Sequence, residues 1–283
     1  LIPKPFDPRL MMKIAPAVAE AAAASGVATR PIVDLDAYRE RLQTFVYASG
    51  TTMKPIFDAA RAAPRKRVAY AEGEEERVLR AAQIVVDEGI ARPTLIGRPA
   101  IIAQRIVKFG LRLTEGVDYD VVNVENDPRY TGFWQQYYEL TKRRGMTVPM
   151  AKIEMRRRLT LIGTMLLRAG EVDGLICGTW GTIHMHLNYS DQVIGRKPGT
   201  RTYDAMNGVL LPGRQLFLVD THVNVDPSAE QLTEITIAAA EQVRRFGLKP
   251  RAALLSHSNF GSSNEPGAVK MREVLGRVRE QAP

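Results

Sequence analysis

An α/β fold organised around a parallel sheet is what this sequence predicts, and three observations carry the prediction. From Arg67 onwards short apolar runs alternate with amphipathic stretches of helical period, the pattern of strands joined by right-handed crossovers. Glycine- and hydroxyl-rich segments follow two of those runs, at Gly178–Thr182 and Ser256–Ser263, where open sheets place their ligand loops. The chain has 283 residues, 45% of them hydrophobic and 25% charged, which is ordinary for a soluble globular protein and long enough to bury a sizeable core.

In chain order, a proline-punctuated extended piece (LIPKPFDPRL) precedes an alanine-rich segment with Ile14, Val18, Ala21 and Ala22 at helical spacing and Gly26 as its stop. Asp34 or Asp36 then caps a second helix carrying Tyr38, Leu42, Phe45 and Val46 on one side. A helix pair this short buries too little to stand alone and is expected to dock on something else. Residues 48–66 read as a linker containing a short helix. Residues 67–283 read as the α/β domain: strand VAYAEG; a helix with three glutamates, Glu74–Glu76, at its amino end and Val78, Ala81, Ala82, Val85 and Val86 inward; strand PTLIG; helix IIAQRIVKFG; strand YDVVNVE. Two longer helical stretches follow, FWQQYYELTKRRG and PMAKIEMRRRLTLIGTMLLRAG.

The segment Glu171–Gly199 organises the rest. Asp173–Cys177 is a short apolar strand running into the small-residue loop Gly178–Thr182. After it come helix signals, the polar, extended TRTYDAMNGVLL and strand RQLFLVD. The next helix has Asp226 at its cap, Pro227 at its first position, Leu232, Ile235, Ala239, Val243 and Phe246 inward, and Gly247 past its end. A strand over Ala252–Ser256 leads into the second loop, and the chain ends in a helix. Two such loops facing one cleft suit an anionic acyl or phosphoryl ligand, because backbone amides approach a substrate closely only where side chains are small.

The formal net charge is +8, and the basic residues fall in short clusters, Arg65–Arg67, Lys142–Arg144 and Arg156–Arg158. Successive helical positions lie roughly 100° apart, so such triplets spread around a helix and form a solvated or subunit-contacting face. No aromatic interleaving or nucleic-acid motif accompanies them, so no nucleic-acid partner is expected. The single cysteine, Cys177, excludes an intrachain disulfide, points to a reducing, cytoplasmic setting and, inside an apolar strand, reads as an inert buried thiol. No run of about 18 apolar residues marks a membrane span.

Other chemistry-bearing residues carry quieter readings. His184 and His186 lack a third metal ligand nearby, which favours a loop or interface role. His222 has no paired nucleophile and reads as a structural hydrogen-bonding residue. Ser256 and Ser258 lie outside any GxSxG context and are ligand-binding candidates. Trp180 is most simply a packing residue that also stands where it would line or block the cleft.

Two families are resembled. Residues 1–47, LIPKPFDPRLMMKIAPAVAEAAAASGVATRPIVDLDAYRERLQTFVY, resemble the carboxyl end of the bacterial malic enzyme domain. From Val68 onwards, VAYAEGEEERVLRAAQIVVDEGIARPTLIG, VDGLICGTWGT and DPSAEQLTEITIAAAEQVRRFGLKPRAALLSHSNFGSS are similar to phosphate acetyltransferases. That order is the arrangement of hybrid NADP-dependent malic enzymes. The resemblance implies a truncated acetyltransferase-like module behind a short helical tail, in a parent chain that converts malate to pyruvate with NADP and Mg or Mn bound upstream. No cofactor or metal is expected within these residues. It further implies a homo-oligomer with acetyl-CoA as effector, and a cleft lined by Gly178, Thr179, Thr182, Asn188, Ser256, Ser258 and Gly261. The chain departs from the acetyltransferase pattern at two arginines: Asn188 stands where the loop GAxHSTADTLRPALQ carries one, and Thr141 where ELRKHKG does. No catalytic residue is therefore assigned, and the expectation is an acyl-CoA-responsive module that binds without transferring. An active acetyltransferase and a ligand-free oligomerisation domain are the alternatives.

Overall fold

In the computed structural model the described residues are 8–46, 50–211 and 214–282. Helix α1 (Pro8–Ala24) packs on α2 (Leu35–Val46), which touches α3 (Gly50–Ala62). Asp34 caps α2 by accepting from the Ala37 N–H at 2.9 Å. Of the residues read at helical spacing in α1, Ile14, Val18 and Ala21 are exposed and Ala22 is partly covered, while Met12, Ala15, Pro16 and Ala19 are covered. An alanine-rich helix has no polar side to reject, so its neighbour chooses the face. The extended piece before Pro8 and the side chains of Phe45 and Val46 lie outside the described residues.

Strands β1 (Lys66–Tyr70), β2 (Ala91–Gly97), β3 (Asp120–Asn123) and β4 (Gly174–Ile176) form one parallel sheet in the order β3-β2-β1-β4. Side chains alternate across it. Tyr70 and Leu95 point to the face covered by α4 (Glu76–Asp87) and α5 (Pro99–Lys108), with Val78, Leu79, Ile102 and Ile106. Ala69, Ile96 and Val122 point to the other face. There α6 (Tyr130–Thr141), α7 (Val148–Arg157), α8 (Leu159–Arg168) and α9 (Ile183–Val193) supply Phe133, Tyr137, Met155, Leu161, Met165 and Val193. In α4 Val78 and Ala82 are buried as expected, Leu79 joins them, and Ala81 is exposed. The long helical stretch after Met146 is divided at Arg158, whose backbone is extended (φ −107°, ψ 94°).

Strands β5 (Met206–Leu211) and β6 (Arg214–Val219) form a separate antiparallel pair beside α10 (Ala229–Arg245) and α11 (Pro266–Gln281). Two expectations are corrected here. Ser228, not Asp226, caps α10: its hydroxyl accepts from the Gln231 N–H at 3.2 Å while the Gln231 side chain accepts from the Ser228 N–H at 2.9 Å. That reciprocal box satisfies two helix-end donors, and Asp226 pairs with Lys270 instead. Nor does Ala252–Ser256 form a strand. A strand exists only as part of a ladder, and no described segment pairs with this one.

Candidate functional site

In the order β3-β2-β1-β4 the chain runs outward one way from β1 to β3 and then returns to place β4 on β1's other side. The carboxyl ends of β1 and β4 therefore border a topological switch point, the place where open α/β sheets open a crevice for ligands. Two loops leave there, residues 71–75 and 177–182. The Ala71 N–H donates to the Ile176 carbonyl at 3.0 Å, and the Gly178 N–H donates to Oε1 of Glu72 at 3.1 Å. Glu72 is 7% exposed, so a buried carboxyl group lies against the start of the second loop. Burial, then the nearby Glu72 carboxylate, pushes the Cys177 thiol up. It stays S–H, although Cys177 stands one residue past β4 and is half-buried, not enclosed in the strand as expected.

The far end of the second loop runs into α9. Thr182 is its N-cap, accepting from the Met185 N–H at 3.4 Å. His186, one turn into α9, reaches back so that Nε2 lies 2.8 Å from the Trp180 carbonyl oxygen and Nδ1 lies 2.7 Å from Thr160 Oγ1. His184 is exposed, because residues two apart on a helix point to different sides. The Trp180 indole is 66% exposed and does not pack in the core. Among the described residues no group of three or more His, Cys, Asp or Glu side chains is arranged to hold a metal ion.

The predicted site residues divide into three places. Gly178, Thr179 and Thr182 share the loop at the switch point. Asn188 lies further along α9, exposed, with its Oδ1 accepting from Gln192 at 3.2 Å. Ser256, Ser258 and Gly261 belong to the loop before α11: the two serine hydroxyls lie 3.1 Å apart, the Ser258 N–H donates to Ser256 Oγ at 3.2 Å, and Arg272 of α11 donates to the carbonyls of Gly261 and of Ser263. No hydrogen bond or ion pair between described residues joins this loop to the one at the switch point. Thr141 is buried and donates to the Tyr137 carbonyl at 2.6 Å, so its hydroxyl is spent inside α6.

Residues 51–283 match the family described as phosphate acetyl/butaryl transferase. The chain belongs to that family. Over its whole length it is also 55% identical to an NADP-dependent malic enzyme of Salmonella typhimurium, of which it spans 37%. A phosphate acetyltransferase of Synechocystis is 33% identical over 81% of this chain and 32% of its own length. A crystal structure of a phosphotransacetylase from Streptococcus pyogenes superposes with a TM-score of 0.71 at 25% identity, covering 82% of this chain and 70% of that one.

Two arginines that follow β2 are committed to one acidic residue. Arg98, immediately after β2, is engaged on Glu74, with Nε at 2.8 Å from Oε1 and Nη2 at 2.7 Å from Oε2; Arg105 donates to the Glu74 carbonyl. The Arg98 hydrogen bond holds the Glu74 carboxyl below its usual range, against the opposing effect of burial. No guanidinium among the described residues hydrogen-bonds to Gly178–Thr182. Sequence reasoning missed Glu72 and Thr160. Glu72 stood among four acids in AEGEEE, where the turn and not the composition decides which one points inward.

Proposed function

We propose that this chain is the acyl-CoA-responsive part of an NADP-dependent malic enzyme and that it binds acetyl-CoA without transferring the acetyl group. The observation that carries the reading is the buried Glu72 carboxylate at the switch point, to which no guanidinium among the described residues is hydrogen-bonded or paired. Making acetyl phosphate from acetyl-CoA requires a phosphate oxygen to attack the thioester carbonyl. Both the incoming dianion and the developing oxyanion need cations or strong donors. A buried carboxylate repels the phosphate, and Thr141 and Asn188 replace little of what two arginines would supply. A neutral thioester and pantetheine arm meet no such penalty and are met by the loop amides of Thr179 and Thr182, the Gly178 N–H being engaged by Glu72.

On this reading malate oxidation and decarboxylation, with NADP and Mg or Mn, take place outside these residues, in a homo-oligomer in the cytoplasm. Coupling between the two sites is on the order of 1–3 kcal/mol if ordinary for allostery. The test is malate saturation of the full-length protein with and without acetyl-CoA, alongside an assay for acetyl phosphate formation. A shifted malate curve with no acetyl phosphate is the expected result. An unmoved curve, or transfer at an ordinary enzyme rate, overturns the proposal.

A further inference from the structure

We infer that His186 is a positioning residue which, with a hydrogen on Nε2, latches Gly178–Thr182 in the one shape that presents the loop's free amides. The inference rests on the acyl-CoA reading only for what the loop binds. A carbonyl oxygen can only accept, so the 2.8 Å approach of Nε2 to the Trp180 oxygen requires the hydrogen to be on Nε2. The other ring nitrogen, Nδ1, lies 2.7 Å from the Thr160 hydroxyl, which can give or accept a hydrogen bond. Thr160 is 3% and His186 8% exposed, so water does not offer either a ready substitute partner. The two hydrogen bonds tie α8, through the α9 imidazole, to the loop backbone.

The loop is shaped to meet that ring. Gly181 has φ +100°, and a Cβ placed there would stand 2.5 Å from Met185 Cε and 3.1 Å from His186 Nε2. The backbone approach to the imidazole therefore requires glycine. At the other end Glu72 holds the Gly178 N–H. Between these two buried anchors the loop has no described hydrogen bond of its own, and the Trp180 indole is left in solvent. The shape of the loop is thus set by side chains from other elements, and His186 controls the half that carries Trp180.

The test compares His186→Gln, which keeps an N–H donor near the Nε2 position, with His186→Asn, which keeps a hydrogen-bonding group near Nδ1 but cannot reach the Trp180 carbonyl. The full-length protein is labelled with 5-fluorotryptophan, its Trp180 line is assigned with Trp180→Phe, and fluorine spectra are recorded without ligand. Acetyl-CoA titration follows. His186→Asn is expected to shift and broaden the Trp180 line and to weaken acetyl-CoA binding about tenfold, the loss of roughly one hydrogen bond. His186→Gln is expected to keep the line and most of the affinity. An unchanged Trp180 line in His186→Asn, or identical behaviour of the two variants, overturns the latch. If the line moves as expected while acetyl-CoA binds to no form of the protein, the latch stands and the acyl-CoA reading falls. Should His186→Asn fail to fold, nitrogen-15 spectra of the wild-type histidines decide: a His186 ring with a hydrogen on Nε2 supports the inference, and one with none there overturns it.

Discussion

The loop at Gly178–Thr182 and the loop at Ser256–Ser263 look alike in composition, yet they are held in different ways. The first sits between a strand of the parallel sheet and a helix packed in the main core, and buried Glu72 and His186 grip its backbone. The second joins the unpaired segment 251–256 to α11. Its ties are its own serines and the exposed Arg272, while Phe260 stands in solvent with φ +52°. The same contrast runs through the two halves of the fold. Residues of β1 and β2 are buried on both faces of their sheet, whereas Leu216 and Leu218 of β6 remain exposed. Small residues make a loop able to approach a ligand; groups elsewhere in the chain decide whether it keeps one shape.

Several substitutions test how deep that difference goes. Leu161→Ala empties a fully buried position in α8 and is expected to cost about 2–5 kcal/mol in denaturant unfolding. Leu218→Ala, on the half-covered hairpin, is expected to cost less than about 1 kcal/mol by the same measurement. Equal losses would erase the contrast between the two halves. Gly73→Ala comes next: a Cβ there would lie 2.8 Å from the backbone N and O of Ile96. Backbone cannot step aside as a side chain can, so a loss of about 1–3 kcal/mol is expected in thermal unfolding.

Glu74→Gln removes the charge and one of the two oxygens that accept from Arg98. Because the folded carboxyl is depressed, its stabilisation is present above the unfolded value near 4.5 and is lost as pH falls through the lower folded value. The Tm gap between wild type and variant is therefore expected to be present at neutral pH and to close in acid. A gap that widens below pH 4.5 would contradict the assignment. The smallest global effect is expected from Arg272→Ala, within about 0.5 kcal/mol. Amide exchange in residues 256–263 should nonetheless quicken while that of 177–182 stays unchanged, and matching changes in both loops would show that they are coupled.

Most strands of the sheet and nearly all the helices could be read from the chain, because period and apolar content report burial directly. Val78 and Ile235 show this: each is buried where helical spacing puts it. The strand at Ala252–Ser256 was misread for the converse reason, since an apolar run specifies a strand only when another strand is there to pair with it. The site was legible as far as its loop, from glycine and hydroxyl content. Glu72, Thr160 and His186 come from three separate segments, and nothing in their local sequence says that they converge.

By itself the sequence determined the parallel α/β class, the glycine loop after Cys177 and the neutral residues at Thr141 and Asn188, all properties of residue type and spacing. Tertiary structure alone decided that β1 and β4 lie side by side and that a buried carboxyl group lies against the loop after β4. It also turned the imidazole of His186 back onto the Trp180 carbonyl. Those are outcomes of strand order and packing between distant segments, and pairwise contacts of that range leave no periodic trace in a chain.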